Sequence, residues 1–164
     1  MRGFFKFVGV ACTLIVVGVL GLSLIGYLEY RSNAARIEGE TMATALDAIT
    51  SVTTAWNPDE MEKRAHPQML DMVKKQNQSV GSFFDIYRKL GALKPPPVCS
   101  LVNFRSNIGI PSYTLADYAC KTEFENASGV IYLELLKDKD SKDAYLVTAF
   151  KIDSPLFTNL LLGK

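Results

Sequence analysis

From Phe7 to Leu28 the chain runs 22 residues without a charge, mostly Val, Leu, Ile and Gly, behind a start whose charged side chains are Arg2 and Lys6. As a helix this run reaches about 33 Å at 1.5 Å per residue, enough to cross a hydrocarbon core of roughly 30 Å. Phe7, Leu14, Leu20 and Leu28 mark out the expected transmembrane segment, and Tyr27 and Tyr30 stand at its far end, where an amphipathic ring suits the headgroup region. Both leading charges are positive, so the N-terminus is expected in the cytoplasm and the rest of the chain beyond the membrane. That topology is a single pass through an inner (cytoplasmic) membrane. Residues 1–31 form the cytoplasmic start and anchor, and residues 32–164 a periplasmic or otherwise exoplasmic domain. The competing reading is a secretory signal peptide that is cleaved. The apolar core exceeds the usual length of about 7–15 residues and lacks a small-x-small pair ahead of Glu29, which favours an uncleaved signal anchor.

The exported part is long enough for one hydrophobic core. Setting aside Arg2 and Lys6 leaves 16 basic residues against 17 acidic ones, a balance that gives no electrostatic reason to expect nucleic acid as a partner. Cys99 and Cys120 are the two cysteines outside the apolar run. Two strands flank the turn Ser106–Pro111, and a hairpin centred between Gly109 and Ile110 sets Cys99 opposite Cys120. Directly opposed residues lie close enough to bridge, and an exoplasmic compartment is oxidising, so a disulfide is expected over two independent buried thiols.

Helices precede strands in this domain. Met42, Ala45, Leu46, Ile49, Val52 and Trp56 recur at three- and four-residue steps, predicting a helix over about 32–56 that continues from the apolar run. Asn57-Pro58-Asp59-Glu60 stops it and opens another, with Asn57 as cap, Pro58 at the first helical position and Glu60 placed to reach back. Pro67 after His66 restarts the chain once more, with Met69, Leu70, Met72 and Val73 forming the buried face. Phe83, Phe84, Tyr87 and Leu90 supply a last amphipathic stretch closed by Gly91. Beyond Pro95-Pro96-Pro97 the pattern becomes a meander of four strands, Val98–Arg105, Ser112–Phe124, Ser128–Leu136 and Ala144–Ile152. In the last strand Leu146, Thr148, Phe150 and Ile152 form the expected core face. The expected fold class is α+β: an N-terminal transmembrane helix, then helices packed on a curved antiparallel four-stranded sheet.

Trp56, Ala65-His66-Pro67 with Leu70, Leu90-Gly91-Ala92-Leu93, and a final strand Val147-Thr148-Ala149-Phe150-Lys151-Ile152 occur in an order that resembles the nuclear transport factor two-like, cystatin-like α+β cone, over roughly residues 40–153. Many members of that superfamily keep a tryptophan in the final strand; here the single tryptophan is Trp56. The superfamily holds isomerases and dehydratases alongside non-catalytic exported domains and assembly factors, so the resemblance implies a fold more than an activity.

Residues able to carry chemistry are few. His66 is the single histidine and precedes a proline at a helix start, where capping or solvation is expected rather than catalysis. The spacing of the two exoplasmic cysteines matches neither a zinc site nor a redox pair, so no metal and no cofactor are expected. A pocket inside the cone would be lined by Phe84, Tyr87, Tyr118 and Phe150, with Asp117 as the base to suspect; alternation along the strand sends Asp117 and Tyr118 to opposite faces. The loop Lys137–Asp143, alternating in sign, is expected to be a solvated hairpin loop. After the last strand, Ser154-Pro155 opens a short tail whose Leu156, Phe157, Leu160 and Leu161 need a cover, either the chain's own sheet or a partner. The function expected from the sequence is a non-catalytic exoplasmic domain that binds protein, as an accessory subunit or assembly factor of an envelope complex or as a homo-oligomer. The alternative is an apolar-ligand binder or isomerase-like enzyme using the cone interior.

Overall fold

The computed structural model describes residues 2–76, 79–94, 96–107, 109–142 and 144–157, and for residues 2–22 and Phe83 it describes the backbone alone. The side chains of Phe7, Leu14 and Leu20, and the tail residues Leu160 and Leu161, lie outside the described residues. The chain divides into two units, Met1–Arg36 and Ile37–Lys164.

Helix α1 (Arg2–Thr53) is one element, as the unbroken run of helix-compatible residues leads one to expect. Among the described residues no helix is long and apolar enough to cross a membrane. Most of the stretch assigned above to the bilayer falls within residues 2–22. Leu24, Ile25, Tyr27 and Leu28, which follow, are each more than half exposed.

In the second unit α1 ends where Trp56 adopts a left-handed conformation (φ 49°), a termination that normally falls to glycine or asparagine. Asn57 then caps α2 (Pro58–Arg64) by accepting the Asp59 N–H at 3.0 Å. Glu60 bonds forward with Lys63 (2.6 Å) and Arg64 (2.5 Å), where a reach back to the cap was expected. Helix α3 (Pro67–Lys75) follows, and α4 (Val80–Tyr87) opens with a reciprocal cap between Ser79 and Ser82. A 3-10 turn, Arg88–Leu90, ends at Gly91 with φ 77°. A Cβ there would lie 2.6 Å from the Glu125 carboxylate, which itself accepts the Ala92 N–H at 3.0 Å; glycine is required on both counts.

Strands β1 (Val98–Asn107), β2 (Tyr113–Glu123), β3 (Ser128–Lys137) and β4 (Leu146–Asp153) form an antiparallel sheet in the order β1-β2-β3-β4. This is the expected meander, and the expected Cys99–Cys120 pair is a disulfide with Cα atoms 4.0 Å apart. Two bulges alter the registers read from sequence. The hairpin register holds from Val98↔Lys121 to Leu101↔Tyr118, after which Val102 is left over and the pairing slips by one. In β4 a second irregularity falls at Thr148, between Glu134↔Ala149 and Leu135↔Val147, and Thr148 donates to the Glu134 carboxylate at 2.5 Å. A bulge reverses the side-chain alternation beyond it. Val147 is therefore buried in the core, whereas Leu146 and Thr148, expected on the core face, are only partly buried.

The core combines Ile37, Ala45, Ile49 and Val52 of α1 and Trp56 just beyond it with one face of the sheet: Ala116, Tyr118, Cys120, Ile131, Leu133, Leu135, Phe150 and Ile152. Within this unit α1 runs alongside β2. Thr41 meets Tyr118 near one end, and Trp56 meets Phe124 at the other. The opposite face of the sheet carries Lys121, Tyr132, Lys151 and Asp153, all exposed.

Candidate functional site

Of the four side chains assigned to a pocket, Phe84, Tyr87 and Phe150 lie together around Trp56, while Tyr118 is buried separately against Thr41. Trp56 stands at the centre, 6.1 Å from Phe84, 6.2 Å from Tyr87 and 5.7 Å from Phe124 between ring centroids, and Phe84 is 6.2 Å from Phe150. The indole Nε1–H donates to the Gly91 carbonyl at 2.7 Å, which satisfies the one polar atom of the ring and holds its left-handed backbone in place. Phe84, Tyr118 and Phe150 are buried and Tyr87 is half-buried.

Tyr118 is held by a short chain of hydroxyls. Thr41 donates its single hydroxyl proton to the Ile37 carbonyl at 2.7 Å, so the Tyr118 hydroxyl, 2.7 Å away, donates to Thr41. Burial pushes the Tyr118 hydroxyl above the ordinary phenol range; the Thr41 bond opposes this and the Glu38 charge adds to it. A phenol so placed stays protonated and is committed to the core. Asp117, on the other face as alternation requires, accepts from Asn103 Nδ2 at 3.0 Å.

His66 is likewise committed. It is 3% exposed, its Nδ1 accepts the Gln68 N–H at 3.2 Å as the cap of α3, and its Nε2 faces Asp138 Oδ1 at 3.2 Å. An accepting Nδ1 makes Nε2 the donor, so both ring nitrogens are used in the neutral ring. The His66 N–H also donates to the Val147 carbonyl at 2.8 Å, fastening the start of α3 to the edge of β4. The Asp138 Oδ1 accepts from the Asp140 and Ser141 N–H groups at 2.9 and 3.1 Å. Burial opposes ionisation of Asp138, but the His66 bond, these backbone bonds and the imidazole's influence together hold it below the usual carboxylate range. The loop expected to be merely solvated is thus tied down from inside, with Ser141 buried. The nearby Ser141 hydroxyl is taken by the Asp138 backbone, donating to its carbonyl and accepting its N–H, both at 2.8 Å.

The tail starts as expected, with a helical turn at Pro155. Ser154 donates to the Ser128 carbonyl at 2.7 Å, and Phe157 sits edge-on to Tyr87 at 5.5 Å, so Leu156 and Phe157, both half-buried, cover the chain's own core.

Two open clefts lie outside the Trp56 aromatic cluster. One, of about 520 Å³, is bordered by Pro96, Val98, Lys121, Val130, Asp153 and Pro155 on the outer sheet face. The other, of about 510 Å³, is bordered by Ile110, Pro111, Tyr113, Lys137, Asp138 and Lys139, between the β1–β2 turn and the loop after β3. Among the described residues no group of three or more His, Cys, Asp and Glu side chains is placed to hold a metal ion. No family model, curated protein or solved structure matches the chain.

Sequence reasoning missed Thr41, Asp138 and Ser141. Thr41 stands four residues after Ile37 and four before Ala45, so its helical position marked it as buried despite its polarity. Asp138 and Ser141 carry an aspartate-turn spacing that the alternating charges around them concealed.

Proposed function

We propose that the chain is a single-pass membrane protein whose exported α+β domain is built on the nuclear transport factor two-like, cystatin-like plan. It acts by binding protein, as an accessory subunit or assembly factor of an envelope complex, or with its own copies. The observation that carries this reading is the use of the domain's interior: Phe84 packs between Trp56 and Phe150, Tyr118 is buried in the same core and bonded to Thr41, and His66 serves as a helix cap. With the core side chains spent on packing, the surface is left to do the work, and a tether that concentrates that surface at a membrane favours association. The 22-residue apolar run supports the tether, as does the exposure of its last apolar side chains, Leu24, Ile25, Tyr27 and Leu28. The disulfide supports an oxidising compartment. The interior-ligand alternative gains nothing from either cleft, because both lie outside the aromatic cluster.

Cross-linking in intact cells, followed by sizing of the detergent-extracted protein, tests the reading. We expect one recurrent cross-linked neighbour, or a second copy, that stays with the protein through extraction. A protein that sizes as a monomer and yields no adduct at any cross-linker length contradicts it.

A further inference from the structure

We propose that the β1–β2 turn is a second membrane contact, in which Ile110, Pro111 and Tyr113 dip into the headgroup layer of the bilayer that holds the anchor. The inference rests on the anchor reading given above. Ile110 is fully exposed, an unusual position for a large aliphatic side chain at a hairpin tip, and Pro111 beside it is exposed as well. Tyr113 is half-buried, and with Lys137 and Lys139 these residues border one cleft. Apolar tip, amphipathic ring and long-stemmed ammonium groups are the combination that settles at a lipid interface, with the apolar atoms below the phosphates and the charges level with them.

The end of the domain that carries this turn is set by a chain of contacts. Glu40, in the first turn of α1 within the Ile37–Lys164 unit, accepts from the Tyr145 hydroxyl at 3.1 Å. Lys137 lies 5.7 Å from the Tyr145 ring and pairs in register with Thr114, next to Tyr113. The turn and Ile37 therefore share one end of the sheet, while Trp56, Gly91 and Phe124 share the other. Residues 29–36, eight in number, separate Leu28 from Ile37. Even fully extended they span at most about 29 Å, and as a helix about 12 Å, so the Ile37 end is the one the tether keeps close to the bilayer.

Charge at this turn calls for no acidic partner. The loop Lys137–Asp143 has three lysines and three aspartates, and Asp138 Oδ1 is already engaged by His66 and two backbone N–H groups. A balanced loop gives little pull on an anionic partner, so contact comes from apolar insertion and needs no acidic lipid.

The test uses the full chain in phosphatidylcholine vesicles brominated near the carbonyl end of the acyl chains, where bromine quenches tryptophan at the interface. Wild type reports Trp56, which is buried. We expect Ile110→Trp to add emission of which roughly half is lost to bromine, as for a ring held about 5–10 Å into the boundary. Tyr132→Trp, on the exposed middle of the sheet, is expected to add emission that bromine leaves unchanged. If the protein withstands an alkaline carbonate wash but Ile110→Trp is quenched no more than wild type, the turn does not touch the membrane and the anchor reading survives. Equal quenching at both positions also overturns the proposal, since the contact would then not belong to the turn. Loss of the protein in the wash removes the anchor reading and this contact together. Refolding is not in question at an exposed tip, and equal denaturation midpoints for the three proteins confirm it.

Discussion

The two ends of the Ile37–Lys164 unit are built on opposite terms. Where β2 finishes, Trp56 is ringed by Phe84, Tyr87 and Phe124, its indole bonds to Gly91, and the Gly91–Ala92 backbone is locked to Glu125. Where β2 begins, the β1–β2 turn leaves Ile110 in the open, and the neighbouring loop is held from beneath by His66 and Ser141, not by apolar packing. The first end is closed by aromatic packing; the second presents apolar atoms outward. Under the function proposed above, such a division leaves the open end as the adaptable surface.

Substitutions at the two ends should separate sharply. Trp56→Ala removes the ring at the centre of the closed end and is expected to cost about 3–5 kcal/mol of unfolding free energy in urea titrations. A loss under about 1 kcal/mol would mean that the closed end is not the stable one. Replacing both Cys99 and Cys120 by Ser should cost about 2–4 kcal/mol, because the bridge closes a loop with a sequence separation of 21 and ties edge strand β1 to β2. The same loss should follow reduction of the wild type by dithiothreitol, read by the shift in thermal midpoint.

At the open end the effects are smaller and depend on pH. The Asp138 carboxyl is held below its ordinary value by its bonds to His66 and the backbone, against the pull of burial. A depressed carboxyl stabilises the fold above its unfolded value, near pH 4, and that stabilisation is lost as pH falls through the folded value. Asp138→Asn should therefore cost about 1 kcal/mol at neutral pH and flatten the acid limb of the stability profile. An unchanged acid limb would show that the loop is not fastened by this charge. Ile110→Ala is expected to change stability by less than about 0.5 kcal/mol, since its side chain touches solvent. A larger loss would erase the contrast between the two ends.

Much of this plan was legible in the residues. Asn57-Pro58 and His66-Pro67 stop and restart helices for reasons written in side-chain chemistry, and the meander from Val98 onward follows its alternation closely enough to place Cys99 opposite Cys120. The two bulges were not legible. An extra residue at Val102 or Thr148 costs no hydrophobic pattern locally, yet it decides that Val147 and not Leu146 enters the core. The partners of the interior aromatics were not legible either: Phe84 and Phe150 stand 6.2 Å apart between ring centroids, while Tyr118 bonds to Thr41, 77 residues away in sequence. His66 was read as a side chain that caps or faces solvent, and it caps α3 while buried; its partner Asp138 lies 72 residues away and no local pattern joins them.

The account depends first on residues 7–28 remaining in the bilayer. Its most direct test is intact-mass analysis of the protein recovered from membranes after an alkaline carbonate wash. The account predicts that the protein stays in the membrane pellet with a mass that includes the apolar run. Recovery of a washed, freely soluble polypeptide lacking roughly its first thirty residues, the mark of a cleaved signal peptide, would contradict it.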